Sequence, residues 1–244
     1  MKTERKIIGI NRHGVKPPKV DGKDVDAITI DSAQALYAKG VSLRPTIDQM
    51  GATPEQAYLR RTEKIRTLHS GESFLKGAFG YGLPRTEADF ATPIEGLDIA
   101  IEPRLDYSDL KFNETAMNEI GPDAYVRNWV ANPNQEMYDQ VAVTPFSAVV
   151  ESSRGLLKES IQRLRNTSMK LGQLSTHSGL AESLLVAAIN SGRKFPILNV
   201  DHLGGLVDME DYALLILDKK GNRYEARLER DGTIYKVGLS NLMR

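Results

Sequence analysis

The chain has 244 residues, with 32 Lys plus Arg against 32 Asp plus Glu, no cysteine and four histidines. That length suits one sizeable domain able to bury a full core without disulfide or metal staples. A net charge of zero removes any global case for a nucleic-acid or anionic-membrane partner, and the missing cysteines exclude disulfides, thiolate metal sites and cysteine nucleophiles.

The first residues, MKTERKIIGI, carry too short an apolar run for a signal peptide, and no window approaches a membrane span, so a cytoplasmic protein is expected. Residues 6–11 are apolar and β-branched and predict a buried strand that stops at Arg12-His13-Gly14. Residues 19–30 read as loop. A short helix follows over 31–40, opened by two N-cap residue types and closed by Gly40. From Thr53-Pro54-Glu55 to Gly77 the capping pattern predicts a helix, although Tyr58 and Leu59 suit a brief strand equally well. Residues 78–96 are loop-like, and 96–105 alternate like a strand ending at Pro103.

Residues 106–142 are polar, with two modest helices near 113–120 and 122–131, and read as an inserted helical cap. The most periodic helix runs from Thr144-Pro145 to about Asn166, with Phe146, Val149, Leu156, Leu157, Ile161 and Leu164 on one face. A strand ending at His177 and another helix follow. Residues 209–238 then hold three strand-like runs divided by Lys-Gly-Asn and Asp-Gly turns, an expected antiparallel meander. Two strand tips bearing histidine, among alternating strands and helices, point to a three-layer α/β/α sandwich. Its central sheet is mostly parallel and its site lies at the carboxyl ends of the strands. The whole of 1–244 reads as a single domain, with 106–142 as cap and 209–238 as meander.

No two of His13, His69, His177 and His202 lie three or four residues apart, so neither a metal nor a cofactor is expected. His202 suits a packed loop. Arg12-His13-Gly14 is sharpened by a second basic segment, YLRRTEKIRTLHSGES, and by Thr176-His177-Ser178 at a later strand's end. On these motifs the chain resembles the histidine phosphatase superfamily, in its acid-phosphatase and phosphoglycerate mutase-like branches. Arg12-His13-Gly14-Val15-Lys16-Pro17-Pro18 is similar to the opening Arg-His-Gly-x-Arg-x-Pro of the first branch, and 60–71 to its Asp-Arg-Thr-Leu-x-Ser-Ala segment. The likeness spans 7–190, and the meander lies outside it.

The resemblance implies that His13 is the nucleophile, forming a phosphohistidine that water hydrolyses, with His177 completing the catalytic pair. A phosphoryl group needs several cationic or backbone donors around a concave tip. Arg12, Arg66 and His177 supply them here, with Gly14 admitting backbone close to the phosphate and Lys16 replacing an arginine of the pattern. One of Arg60 and Arg61 faces the pocket or both are solvated, and His69 is either pocket wall or surface. The leaving group calls for a carboxylic acid. The acid-phosphatase branch places it directly after the second histidine, where this chain has Ser178. The mutase-like branch takes it from a Pro-Arg-Leu-x-Glu pattern, which EPRLDYSDLKF resembles with the carboxylate one place early. Asp106 is the first choice, then Asp109, then Glu182. The expected activity is metal-independent hydrolysis of a small phosphomonoester. The alternatives are a mutase-like phosphotransferase and a non-catalytic phospho-ligand binder. The sequence leaves the oligomeric state open.

Overall fold

Strand β1 (Arg5–Arg12) is buried along its length, so its run of isoleucines serves both faces of a sheet rather than one. In the computed structural model, which describes residues 4–23, 25–90, 92–192 and 200–244, a helix follows and the chain then builds outward from β1. The elements are α1 (Ile30–Met50), β2 (Ala57–Arg61), α2 (Ile65–Phe79), β3 (Asp98–Ile101), α3 (Glu114–Ile120) and α4 (Pro122–Ala131). A two-stranded hairpin, β4 (Met137–Tyr138) and β5 (Val141–Ala142), leads to α5 (Phe146–Asn166), β6 (Leu171–Thr176) and α6 (Leu180–Asn190). The chain closes with β7 (Tyr212–Lys220), β8 (Arg223–Arg230), β9 (Thr233–Val237) and the short α7 (Leu239–Leu242).

The main sheet has the order β3-β2-β6-β1-β7-β8-β9. Its first four strands are parallel to one another, and β7, β8 and β9 continue from β1 as an antiparallel meander. This is the expected α/β architecture. Successive side chains of β1 point to opposite faces. Ile8 and Ile10 join Leu157 and Ile161 of α5 and Leu184 of α6 on one side, while Ile7 joins Leu43 and Ile47 of α1 and Phe74 of α2 on the other.

Two boundaries differ from the sequence reading for one physical reason. Helix α1 runs on through Gly40 to a left-handed C-cap at Gly51, and α2 runs through Gly77 to one at Gly80. Gly40 and Gly77 are contact residues instead of stops. A Cβ on Gly40 would lie 1.9 Å from the Phe74 carbonyl oxygen, and one on Gly77 would lie 2.1 Å from that of Tyr37. The segment around Tyr58 is the strand β2, paired with both β3 and β6, and α2 starts only after it.

Candidate active site

The register of β1 and β6 pairs Arg12 with Thr176, and the ladder extends one step further as the His13 N–H donates to the Thr176 carbonyl at 2.9 Å. The residues that follow are therefore neighbours across two parallel strand ends, where open α/β sheets hold their ligands. The His13 and His177 rings meet edge to face with centroids 5.1 Å apart. Both are buried.

Nδ1 of His13 lies 2.8 Å from the Gly14 carbonyl oxygen. A carbonyl only accepts, so Nδ1 carries the proton and Nε2 keeps its lone pair. Burial, reinforced by the charges of Arg66, Arg12 and Lys16, holds the His13 pKa down to about 4 against the pull of the Gly14 hydrogen bond, so the ring is neutral at pH 7. Burial also pushes the His177 pKa well below the ordinary imidazole range, with the neighbouring His13, Arg66, Lys64 and Arg12 acting the same way.

The two histidines open into a cavity of about 630 Å³, shared with Arg12, Arg66, Ser178, Tyr107, Leu110, Phe112, Met117, Tyr125 and Trp129 among others. Three of these present buried donor atoms with no hydrogen-bond partner among the described residues: Nε of Arg12, Nε of Arg66 and Oγ of Ser178. Buried polar groups are normally satisfied, so a cluster of unpaired ones around a cavity marks where a ligand's acceptors go. Arg66 stands in the first turn of α2, oriented by Asp26, whose carboxylate accepts from its Nη1 at 3.1 Å and from the Ile65 N–H at 2.9 Å. Arg12 is anchored through Nη1 to the Val207 carbonyl at 3.2 Å.

Arg12, His13, Arg66 and His177 thus come together, with Ser178 beside them. Gly14 serves a different purpose from the one its sequence context suggested. It is not among the residues lining the cavity; a Cβ there would lie 2.1 Å from Ser32 Oγ, and its N–H donates to Ser70 Oγ at 2.9 Å. Its glycine lets α1 pack close and fixes the carbonyl that holds His13. Lys16 is exposed and lies outside the lining, contributing charge felt by His13.

The expected acid is where the reading and the structure part. Asp106 follows the short turn Pro103–Leu105 and folds back on its own segment, Oδ1 accepting from the Tyr107 N–H at 2.7 Å, as Asp readily does in turns. Tyr107, next in the chain, reaches the cavity instead, as do Ser108, Leu110 and Phe112 beyond it, and it stacks on His177 with centroids 5.2 Å apart. Thr176 Oγ1 pins the segment by donating to the Leu105 carbonyl at 2.7 Å. Asp109 is exposed and away from the lining. Glu182 is fully buried, its carboxylate taken by the N–H groups of Gly179 at 2.5 Å and Val207 at 2.7 Å. Arg60 is turned to the sheet edge, where it pairs with Asp98 at 3.1 Å and covers the Tyr58 ring. His69 stacks on Phe90 outside the cavity lining, and His202 is exposed in the turn Val200–Leu203. Sequence reading missed Asp26, Tyr107 and the aromatic wall, although the Pro-Arg-Leu-x-Glu pattern already placed its glutamate at position 107. Among the described residues no group of three or more His, Asp or Glu side chains is arranged to hold a metal ion.

No family sequence profile matches the chain, and no curated protein sequence matches it. Solved structures do. A mycobacterial glucosyl-3-phosphoglycerate phosphatase superposes with a TM-score of 0.51 at 15% identity, over 93% of this chain and 97% of that one. A structure titled mycobacterial hydrolase 2 gives 0.53 at 15% identity, over 99% and 96%. A phytase from D. castellii gives 0.55 at 11% identity, over 96% of this chain and 74% of the phytase. These neighbours are histidine phosphatase superfamily proteins, and the chain has the histidine phosphatase fold.

Proposed function

We propose that the chain is a phosphatase that hydrolyses a small phosphomonoester through a phosphohistidine on His13, without a metal. The observation that carries this reading is the commitment of Nδ1 to the Gly14 carbonyl, which leaves a neutral Nε2 facing a cavity rimmed by unpaired cationic donors. A nucleophilic imidazole needs that tautomer and that charge state. Arg12, Arg66 and Ser178 take the phosphoryl oxygens and the charge that builds on them in transfer. His177, held beside His13 by strand register, is the second catalytic imidazole. The glucosyl-3-phosphoglycerate phosphatase of the same fold has been solved with VO3 and with inorganic phosphate, ligands of the kind this rim suits.

Residues 106–142 act in this reading as a cap, since Tyr107, Phe112, Met117, Tyr125 and Trp129 share one cavity with the two histidines. The test is release of inorganic phosphate from phosphomonoesters in chelator, with phosphate on the protein trapped by rapid quench. His13→Ala is expected to remove both turnover and an acid-labile, base-stable phosphoprotein, a loss of at least about 10⁴-fold in line with removal of a covalent nucleophile. Turnover that survives His13→Ala, or that requires added metal, refutes the mechanism. Accumulation of an isomeric phosphoester in place of free phosphate would assign the same site to a mutase.

A further inference from the structure

The far end of the cavity carries a wall of aromatic rings, with the polar Ser108, Glu114 and Asn118 beside it. Trp129 donates its ring N–H to the Thr144 carbonyl at 2.8 Å, and the Tyr125 hydroxyl accepts from the Asn113 N–H at 3.1 Å. The indole N–H is thereby spent on backbone and the Tyr125 hydroxyl is held by it, keeping only its own proton to donate, so the two residues offer mainly ring surface to the cavity. Phe112 sits between them, edge to face with Trp129 at 5.2 Å and with Tyr125 at 6.2 Å, and meets Tyr107 in the same way at 5.3 Å. A sugar laid against the ring wall would leave the hydroxyls that face it without partners, at the cost that unpaired buried polar groups carry. A flat apolar group replaces water against four rings.

The phosphate end adds a second, independent constraint. Among the described residues lining the cavity the one carboxylate is Glu114, exposed at the first position of α3. Asp106, Asp109 and Glu182 are turned elsewhere, as shown above. The carboxylates near this end, Glu114 and the Asp123 that lies 3.8 Å from Arg12 Nη1, are both exposed, and a leaving oxygen able to depart as its anion, a phenol with a pKa of about 10 rather than an alkyl alcohol nearer that of water, about 15.7, depends on them least.

Resting on the phosphatase reading, we propose that the substrate is an aryl phosphate, a phosphate monoester of a phenol, whose ring lies against Phe112, Tyr125 and Trp129. His13 Nε2 forms the N–P bond as the P–O bond to the phenol breaks. The phenolate leaves with that electron pair and takes its proton from solvent. Water then forms the new P–O bond and yields a proton to solvent, while the N–P pair returns to the imidazole.

The test separates binding from turnover. Calorimetric titration of the intact protein with phenylphosphonate and with 2,3-dihydroxypropylphosphonate, neither hydrolysable, is expected to show the phenyl compound bound at least about tenfold tighter, equivalent to 1.4 kcal/mol. Phe112→Ala should bring the two within about threefold, and Phe112→Leu should fall between. Equal or tighter binding of the dihydroxypropyl compound by the wild type overturns the proposal. In turnover, phenyl phosphate should exceed glycerol phosphate by at least about a hundredfold in kcat/KM, and glycerol phosphate as the better substrate overturns the proposal while leaving the phosphatase reading intact. The ring preference in binding, with no phosphate released from either ester, would support the aryl specificity and refute hydrolysis. A phosphotyrosine peptide turned over as fast as phenyl phosphate would place the phenol on a protein side chain; an inert one would place it on a free ester.

Discussion

The state of the His13 ring is set by its burial and by neighbours inside and outside its motif. Burial first, then the charges of Arg66 and Arg12, keep the ring uncharged, and the Gly14 carbonyl fixes the tautomer. The consequence for pH has a definite sign. Between pH 6.5, the ordinary imidazole value, and about 4, the folded value, the unfolded chain binds a proton at His13 that the folded chain does not. Stability from this group therefore rises with pH across that window and is lost as pH falls through it. The ring carbons and nitrogens of His13, followed by NMR, should show a neutral imidazole down to pH 5 and protonation near 4. A titration midpoint between 6 and 7 would mean that Nε2 sees bulk water. At this scale the motif residues were legible because residue type and spacing are what define them. Tyr107 was not, since a one-residue difference in where a turn points its side chains is decided by the Asp106 Oδ1 bond and the Thr176 anchor rather than by composition. Gly14 was readable as a required glycine, but the group it makes room for, Ser32, lies 18 residues away on another element.

Helices α1 and α2 cross at Gly40 and Gly77, each occupying space against the other's backbone. A glycine that ends a helix and one that admits a neighbouring helix look identical in a single sequence, and only tertiary packing separates them. An interior glycine with open space around it and one pressed against a neighbouring backbone forecast opposite signs. In an unobstructed helix interior Gly→Ala stabilises by about 0.5–1 kcal/mol. Here the added Cβ meets a carbonyl oxygen at 1.9 Å in Gly40→Ala and 2.1 Å in Gly77→Ala, and backbone cannot swing aside as a side chain can. Each substitution should destabilise by about 2–3 kcal/mol, the upper range for overpacking, read as a lower urea midpoint at unchanged slope. Because α2 also carries Arg66, the same variants should weaken phosphate binding as the helix shifts. The strand β2 was ambiguous for a related reason: its five residues are too short for period alone to decide, and its pairing with β3 and β6 is a long-range event.

Over the whole molecule, β1 ties the layers together, since Ile7 belongs to the cluster of α1 and α2 while Ile8 and Ile10 belong to that of α5 and α6. The alternation of strands and helices in the sequence was enough to anticipate that sandwich and the terminal meander, because both follow from local pattern. Strand order was not, because it depends on which distant strands meet. The site draws one arginine from β1, the other from α2, two histidines from neighbouring strand ends and its far wall from 107–129. A ligand bridging these elements binds the folded chain and not the unfolded one, so it should stabilise all of them together. At vanadate a hundredfold above its dissociation constant the gain is about 2.7 kcal/mol. For a domain of this size that raises the melting temperature by about 5–10 °C. Scanning calorimetry should show one transition that moves as a whole. Arg66→Ala, at the same vanadate concentration, should keep the single transition and lose more than half of the shift. Two transitions, with vanadate moving only one, would instead divide the chain into units that fold separately and confine the site to one of them.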